Sequence, residues 1–452
     1  MIELPSSFID SLNLSIEAKE ALVIALNSGP VCSIRQNPFK QHDLFKDEEQ
    51  VPWSVEGKYL KERPSFVADP LFHAGVYYSQ EASSMFLEQI LKAIDLEGKV
   101  VLDLCASPGG KSTHISSLLP KSAFLVANEI IRSRAWILKE NLDKWGSSNC
   151  AVTNNDPEDF KEYLGFFDVV LADAPCSGEG MFRKDPNARK EWNLRGVDIC
   201  YARQQKIIAD IIPTIKDGGV LIYSTCTFND KENKENLAWI EENYNVEGFD
   251  FVSDEYCAEN SIEIVEVGGL KGYQFFPGKT KGEGFFISAI KVFGGRHKLK
   301  MPKRIRNVRL DKWDIENPLD NGYKKYVIKD MVHSFPEEFE DIVKCMLWEL
   351  KPLKIGCELG QDIKGKLKYS HELAFSHELD LSKIETVEVS KEEAIKFLQK
   401  KDLSDVPDIK SWGLITYKNQ GLGWVKKVGN RLNNYCLLYT SDAADDSLRV
   451  DL

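Results

Sequence analysis

Val100-Val101-Leu102-Asp103-Leu104 is an apolar run around one acid, followed at once by Cys105-Ala106-Ser107-Pro108-Gly109-Gly110-Lys111 and then by a helical pattern from Lys111 to Leu119. A short apolar run of this kind reads as a buried strand, and a glycine-bearing turn into a helix makes it the first βα unit of an open sheet. The alternation continues downstream. Phe124 to Asn128 precedes a helix at Arg132 to Lys144, and further strands are expected at Ala151 to Asn154, Phe167 to Ala172, Val220 to Ser224 and Phe285 to Lys291. Arg203 to Ile215 and Lys231 to Tyr244 read as helices between or after them. Strands alternating with amphipathic helices predict an α/β fold with a doubly wound, mostly parallel sheet.

Working outward, residues 1–75 mix a helical pattern at Ile16 to Leu26 with an extended stretch at Val31 to Arg35 and several prolines, a small α+β module. The sheet domain is expected over 76–293. Gly294-Gly295 then open a basic linker, 294–312; Arg296, Lys298, Lys300, Lys303, Arg304, Arg306 and Arg309 follow Lys291 with no acid among them. A solvated linker and a nucleic-acid contact both fit that run. Residues 313–435 have less regular periodicity and their own tryptophans, a C-terminal α+β region. Residues 436–452 continue no earlier pattern and are set aside as an atypical tail, either a frayed acidic end or translated non-native sequence.

Composition narrows the function classes. Of 452 residues, 43% are hydrophobic and 28% charged, the make-up of a soluble globular chain of several domains. No apolar stretch approaches the ~18 residues of a bilayer span, and Met1 to Asp10 lacks the pattern of a signal peptide, so the expected location is the cytoplasm with no membrane partner. Basic residues number 58 and acidic residues 70, a net charge of −12, which argues against non-specific coating of nucleic acid and requires any such contact to be local. The ten cysteines are scattered and lack CxxC spacing, so they are read as free thiols with no metal site.

In an open α/β sheet, ligands bind beyond the carboxyl ends of strands, where the loop Cys105 to Lys111 falls. Gly109 and Gly110 let the backbone approach a nucleoside, and Ser112 or Thr113 can start the helix. A phosphate loop would need GxxxxGK[ST]; the position of its first glycine is Cys105 here, which disfavours it. Glu129, after the second strand, stands where an acid takes ribose hydroxyls, and Asn155-Asp156, after the third, can reach an adenine amino group. Each alone is ordinarily a cap or a surface residue. In this order they describe an adenosine site, and without GxGxxG the preferred cofactor is S-adenosylmethionine rather than a dinucleotide.

Asp173-Ala174-Pro175-Cys176 and Ser224-Thr225-Cys226-Thr227-Phe228 follow the fourth and fifth strands, so both thiols are expected at the carboxyl edge of the sheet. Buried cysteine is ordinarily a small hydrophobe, and Cys32, Cys150, Cys200, Cys257, Cys345 and Cys357 are read so, with Cys105 structural within its loop. Cys176 and Cys226 lie in strand-end loops shaped by Pro175 and Gly178, where function concentrates. A thiolate beside a methyl donor suits carbon 5 of cytosine, which is not nucleophilic by itself. Attack at carbon 6 makes carbon 5 enamine-like; it takes the methyl, and loss of its proton with elimination frees the enzyme. Asp173 is placed to offset charge at ring nitrogen 3, and the thiol needs local dipoles or cations to ionise.

Asp103 to Ser112, Asp173 to Gly180 and Thr225 to Phe228 resemble the RNA (cytosine-5)-methyltransferases of the Sun-domain class. Arg63 to Phe66, Asp69 to Gly75, Tyr78 to Met85, Leu422 to Trp424 and Val428 to Asn434 are similar to its bacterial 16S ribosomal RNA branch, the F-type enzymes, so the resemblance covers most of Arg35 to Tyr435. It implies a Rossmann-like S-adenosylmethionine-dependent methyltransferase in which Cys226 is the nucleophile and Cys176 helps free the product. Spacing alone leaves that assignment open, because DNA enzymes of this chemistry put the nucleophile on Pro-Cys. The resemblance further implies cofactor contacts from Cys105, Ala106, Ser107, Pro108, Gly109, Gly110, Lys111, Glu129, Asp156 and Asp173, with Asp173 shared with the base and Arg134 and Lys184 as weaker contacts. It also implies an RNA-contacting N-terminal module and a PUA-like C-terminal one; the expected partner is 16S rRNA or the small ribosomal subunit, with the chain expected to act as a monomer. The chain departs from the family after Asn434-Tyr435, where an aromatic, a proline and a tryptophan normally follow; the departure touches RNA affinity more than catalysis.

Three other readings fit parts of the sequence. A tRNA methyltransferase of the same chemistry would show activity on deproteinised tRNA. An amino-directed methyltransferase would carry Asn or Asp-Pro-Pro-Tyr where this chain has Asp-Ala-Pro-Cys. A non-catalytic RNA-binding ribosome-assembly factor would have no use for both Cys176 and Cys226.

Overall fold

The computed structural model describes residues 3–40, 42–294, 308–314, 317–319, 322–401, 403, 409–429 and 431–436. The linker cations from Arg296 to Arg306 and the tail after Cys436 lie outside the described residues. A central sheet carries ten strands: β1 Val100–Asp103, β2 Phe124–Asn128, β3 Cys150–Thr153, β4 Phe167–Asp173, β5 Ile215–Thr225, β6 Val246–Gly248, β7 Glu263–Val267, β8 Leu270–Phe275, β9 Phe285–Val292 and β10 Pro352–Ile355. Their order is β7-β8-β9-β5-β4-β1-β2-β3-β10, with β6 beside β9. The run β5-β4-β1-β2-β3 is parallel, while β9 and β10 pair antiparallel at its two flanks. The doubly wound, mostly parallel sheet expected from the sequence is therefore present.

This order positions the site. From β1 the chain winds outward through β2 and β3, then returns to the other side of β1 for β4 and β5. The loops leaving the adjacent strands β1 and β4 diverge, and a crevice opens at their carboxyl ends. Every residue of β1, β2 and β3 is buried, the pattern of strands covered on both faces. Along β1, Val101 packs with Ile115, Leu138 and Leu142 on one face, and Leu102 packs with Ile208, Ile211 and Leu237 on the other. Those residues come from helices α1 Gly110–Leu118, α2 Arg132–Trp145, α3 Leu194–Ile211 and α4 Lys234–Asn243.

Both ends of α3 differ from the sequence expectation. α3 begins nine residues before Arg203, at Leu194, because Asn193 caps it by accepting from the Gly196 amide at 2.9 Å. It also stops before Ile215: Pro213 lies in a 3-10 turn, and Ile215 already belongs to β5.

The N-terminal region forms a four-stranded antiparallel sheet in the order Glu49–Gln50, Gly57–Tyr59, Ser33–Gln36, Tyr77–Tyr78. Arg35 docks it on α1: the fully buried guanidinium donates to Thr113 Oγ1 at 2.6 Å, Gln80 Oε1 at 2.7 Å and Ser117 Oγ at 2.9 Å, and lies 4.4 Å over the Trp145 ring. The C-terminal region holds two further sheets, one of five strands and one, over Thr386–Asn434, of four. Between the third and fourth strands of the five-stranded sheet, Met331–Phe335 and Cys357–Ile363, the chain returns to the central sheet as β10, so the stretch after the basic linker is joined to that sheet by backbone pairing. No helix among the described residues is long and apolar enough to cross a membrane.

Candidate functional site

The crevice between β1 and β4 opens into a cleft of about 630 Å³. Cys105, Ala106, Ser107, Pro108, Gly110, Lys111, Glu129, Asp156, Asp173, Cys176 and Cys226 all line it, as do Arg134 and Lys184. Gly109 does not. Its φ of +119° demands glycine, and a Cβ there would sit 3.4 Å from Leu138 and Asn141, so this residue turns the chain against α2 rather than toward a ligand. The other capping expectation is also corrected: the α1 N-cap has no side-chain bond. Ser112 instead donates to Asp103 at 2.6 Å, and Thr113 bonds back to the Gly109 carbonyl at 2.8 Å.

Short cross-links hold the loop after β1. The Ala106 amide donates to Asn128 O at 2.8 Å, Asn141 donates to Pro108 O at 2.8 Å, and Ser107 and Arg134 exchange bonds at 3.0 and 2.9 Å. Glu129 is buried, accepts from the Ile131 amide at 2.9 Å and has Arg134 at 3.6 Å. Asp156 is exposed and caps the short turn Pro157–Phe160. Asn155 is occupied structurally, accepting from the Lys351 amide at 2.9 Å and donating to Asp159 at 2.8 Å, which removes it as an adenine contact. Burial pushes the Cys105 thiol far up, as a structural thiol requires.

The lining suits an adenosine-bearing cation. Glu129, Asp156 and Asp173 offer acceptors for hydroxyl, amino and ammonium groups. Asp103 was not anticipated: fully buried, it leaves Oδ1 without a hydrogen-bond partner, and burial raises its carboxyl to about 7. An orphaned acceptor at the base of a cleft is a place for a ligand donor.

Asp173 ends β4. Its Oδ2 accepts from Lys111 Nζ at 2.9 Å and its Oδ1 from Ser224 Oγ at 2.7 Å, so both oxygens are oriented by the neighbouring β1 loop and β5. Three residues on, Cys176 Sγ lies 3.1 Å from Cys226 Sγ, and the Cys226 amide donates to Cys176 Sγ at 3.3 Å. The hydrogen-bonded Cys226 sulfur, and then burial, push the Cys176 thiol well up.

Two buried acids fix the loops that bear these sulfurs. Glu179 Oε2 accepts from Thr227 Oγ1 at 2.6 Å and from the Phe228 and Asn229 amides at 2.8 and 3.1 Å; its Oε1 accepts from Trp192 Nε1 at 3.1 Å and Asn229 Nδ2 at 2.9 Å. Glu232, from the β5 side, holds the Cys176 loop by accepting from the Ser177 amide at 3.0 Å and from Gln204 at 2.7 Å. Each cysteine loop is thus anchored by a carboxylate of the other. Glu179 lies in the quoted stretch Asp173 to Gly180, but an acid that ends in a fully buried network has no sequence signature of its own.

The comparisons with known proteins agree along the chain. A family model described as 16S rRNA methyltransferase RsmB/F matches residues 89–291. The N-terminal domain of 16S rRNA methyltransferase RsmF matches 4–82, and the methyltransferase RsmF PUA domain matches 384–436. Ribosomal RNA small subunit methyltransferase F of Shewanella piezotolerans is 31% identical over 416 residues, covering 85% of this chain and 83% of its own length. The same-named protein of Shewanella oneidensis is 30% identical over 469 residues, covering 96% of each. Among solved structures, NSun6 from Pyrococcus horikoshii with SFG aligns at a TM-score of 0.53 with 20% identity, covering 64% of this chain and 98% of that one, a likeness of fold.

Proposed function

The chain belongs to the 16S rRNA methyltransferase RsmB/F family, and from that premise we propose that it uses S-adenosylmethionine to methylate carbon 5 of a cytosine in 16S ribosomal RNA, through a transient bond between Cys226 and carbon 6. The observation that carries this reading is the 3.1 Å approach of two cysteine sulfurs inside the cleft that the β1 loop lines.

When bound, the cofactor supplies an electrophilic methyl group; Lys111, Glu129, Asp156 and Asp173, with the β1 loop, would hold it. Cys226 gives its thiol proton to solvent water in the open cleft, and the resulting thiolate sulfur bonds carbon 6 of the ring. Asp173, oriented by Lys111 and Ser224, takes the side of the base where charge develops. Carbon 5 takes the methyl, its proton leaves, and the sulfur–carbon bond breaks to release 5-methylcytosine and the Cys226 thiolate. Cys176 fits the removal of that proton. While Cys226 is free, the adjacent sulfur and burial keep Cys176 protonated, so it donates toward Cys226 rather than competing for the substrate. Once Cys226 is bonded to carbon 6 it no longer carries charge, Cys176 ionises more readily, and a buried thiolate is a strong base. Access to carbon 6 requires an unstacked base, which RNA loops supply at low cost.

The test is incubation with labelled cofactor and 16S RNA, with 30S subunits in parallel, followed by mapping of 5-methylcytosine. Cys226→Ala is expected to abolish transfer and Cys176→Ala to accumulate a protein–RNA adduct that survives denaturation. Equal turnover by wild type and Cys226→Ala would end the proposal.

A further inference from the structure

Most of the charged groups of the cleft are matched. Asp173 is engaged by Lys111, Glu129 by Arg134, Glu283 by Arg183 and Asp210 by Lys206. Two cations of the lining are not: among the described residues, Lys184 and Arg203 have neither an ion pair nor a side-chain hydrogen bond. Lys184 is half-buried and feels the buried Glu283, but that carboxylate is already paired with Arg183, so the ammonium keeps its capacity for a further anion. The cleft lining as a whole stays acidic, seven carboxyl groups against five cations, so these two are isolated positive points within it.

Both cations are tied to the thiols. Lys184 follows the turn Glu179–Met181, its amide bonded to Met181 O at 2.9 Å, and Gly180 in that turn bonds the Cys226 carbonyl at 2.8 Å. Arg203 precedes Gln204 on α3, whose side chain donates at 3.0 Å to the carbonyl of Pro175, the neighbour of Cys176. Burial raises the half-buried Cys32 thiol while Arg63 of the N-terminal region and Lys184 both lower it, so the two cations share one neighbourhood, and Arg63 likewise has no acidic partner among the described residues, only the Phe66 ring at 5.5 Å.

We propose that Lys184 and Arg203 grip backbone phosphates of the RNA strand on either side of the target nucleotide, with Arg63 extending the same track onto the N-terminal module. The proposal rests on the RNA reading above and assigns Lys184, which the family resemblance offered as a weaker cofactor contact, to the substrate instead. Phosphates fit better than the cofactor carboxylate because the two cations come from different elements, a turn and a helix, beside the two cysteine loops, whereas Lys111 already serves the β1 loop.

The experiment uses the full chain and a single-stranded 16S RNA fragment, with binding followed by fluorescence anisotropy over a salt series. Each phosphate neutralised on a single strand contributes ~0.7 to the slope of log affinity against log salt. Lys184→Gln and Arg203→Gln are each expected to lower that slope by about 0.7, with S-adenosylmethionine affinity by calorimetry within about twofold of wild type, and Arg203→Lys to keep the slope. An unchanged slope in either glutamine variant, or weakened cofactor binding with RNA affinity intact, overturns the proposal. Wild type is assayed for 5-methylcytosine in the same samples: absence of the product sinks the functional reading, whereas an unchanged slope beside an active wild type sinks only the phosphate contacts.

Discussion

Replacing Glu179 with glutamine isolates the way the Cys226 loop is held. The carboxylate accepts five bonds, three at Oε2 and two at Oε1. Glutamine has one accepting oxygen, so in its better orientation the three donors at Oε2 keep a partner while its NH2 group faces Trp192 Nε1 and Asn229 Nδ2, both donors. Asn229 Nδ2 keeps Glu232 Oε1 at 2.8 Å as an acceptor, so one buried donor, Trp192 Nε1, is orphaned and the variant is expected to be about 1–3 kcal/mol less stable, a sizeable share of the typical ~5–15 kcal/mol of a folded domain. Thr227 and Phe228 directly follow Cys226, the proposed nucleophile, and a displacement of about 1 Å there is expected to lower turnover by roughly 100-fold. Glu179 does not line the cleft, so cofactor affinity should hold. Urea unfolding, calorimetric cofactor titration and single-turnover methyl transfer read the three quantities separately. An unchanged urea midpoint together with wild-type turnover would show that the buried network does not position the sulfur.

Asp103 predicts a pH dependence. Its carboxyl is raised by burial to about 7, so between roughly pH 4 and 7 the folded chain keeps a proton that the unfolded chain has lost, and stability falls as pH rises through that window by up to ~4 kcal/mol. Urea midpoints of wild type should therefore drop from pH 5 to 8 relative to Asp103→Asn; parallel curves would contradict the assignment. Gly284→Ala places a Cβ 2.4 Å from the Phe228 ring and 3.0 Å from Gly180 Cα, and is expected to cost about 1–3 kcal/mol in the same assay, with no change counting against close packing there. Two sulfurs 3.1 Å apart need move only about 1 Å to reach disulfide length. Peroxide should abolish methyl transfer reversibly by dithiothreitol, with loss of two hydrogens by intact mass; the same mass change in Cys176→Ala would point to another pair.

The parts legible in the sequence are those carried by local pattern. The β2 run Phe124–Asn128 and the start of α2 at Arg132 fall where periodicity puts them, and the strand order follows from the βα alternation, which is why Cys176 and Cys226 could be placed at one sheet edge. What escaped depends on distant chain. Gly196 hides the start of α3, because only the Asn193 cap offsets its poor helix propensity. The burial that raises Asp103, and the five donors that converge on Glu179, come from segments far apart in sequence. Asn155 looked like a ligand contact because the amide of Lys351, which occupies it, is supplied by the C-terminal region.

The β10 strand that follows Lys351 has a consequence for synthesis. It covers the outer peptide groups of β3 through pairs such as Lys354 with Val152 and Ile355 with Ala151. Until the ribosome has translated past Ile355, that flank stays bare and able to recruit a strand from another nascent chain. A polypeptide cut after Phe293 would keep both sulfurs and the β1 loop, yet leave this flank permanently open, so aggregation rather than lost chemistry is the hazard of shortening the enzyme to its methyltransferase core.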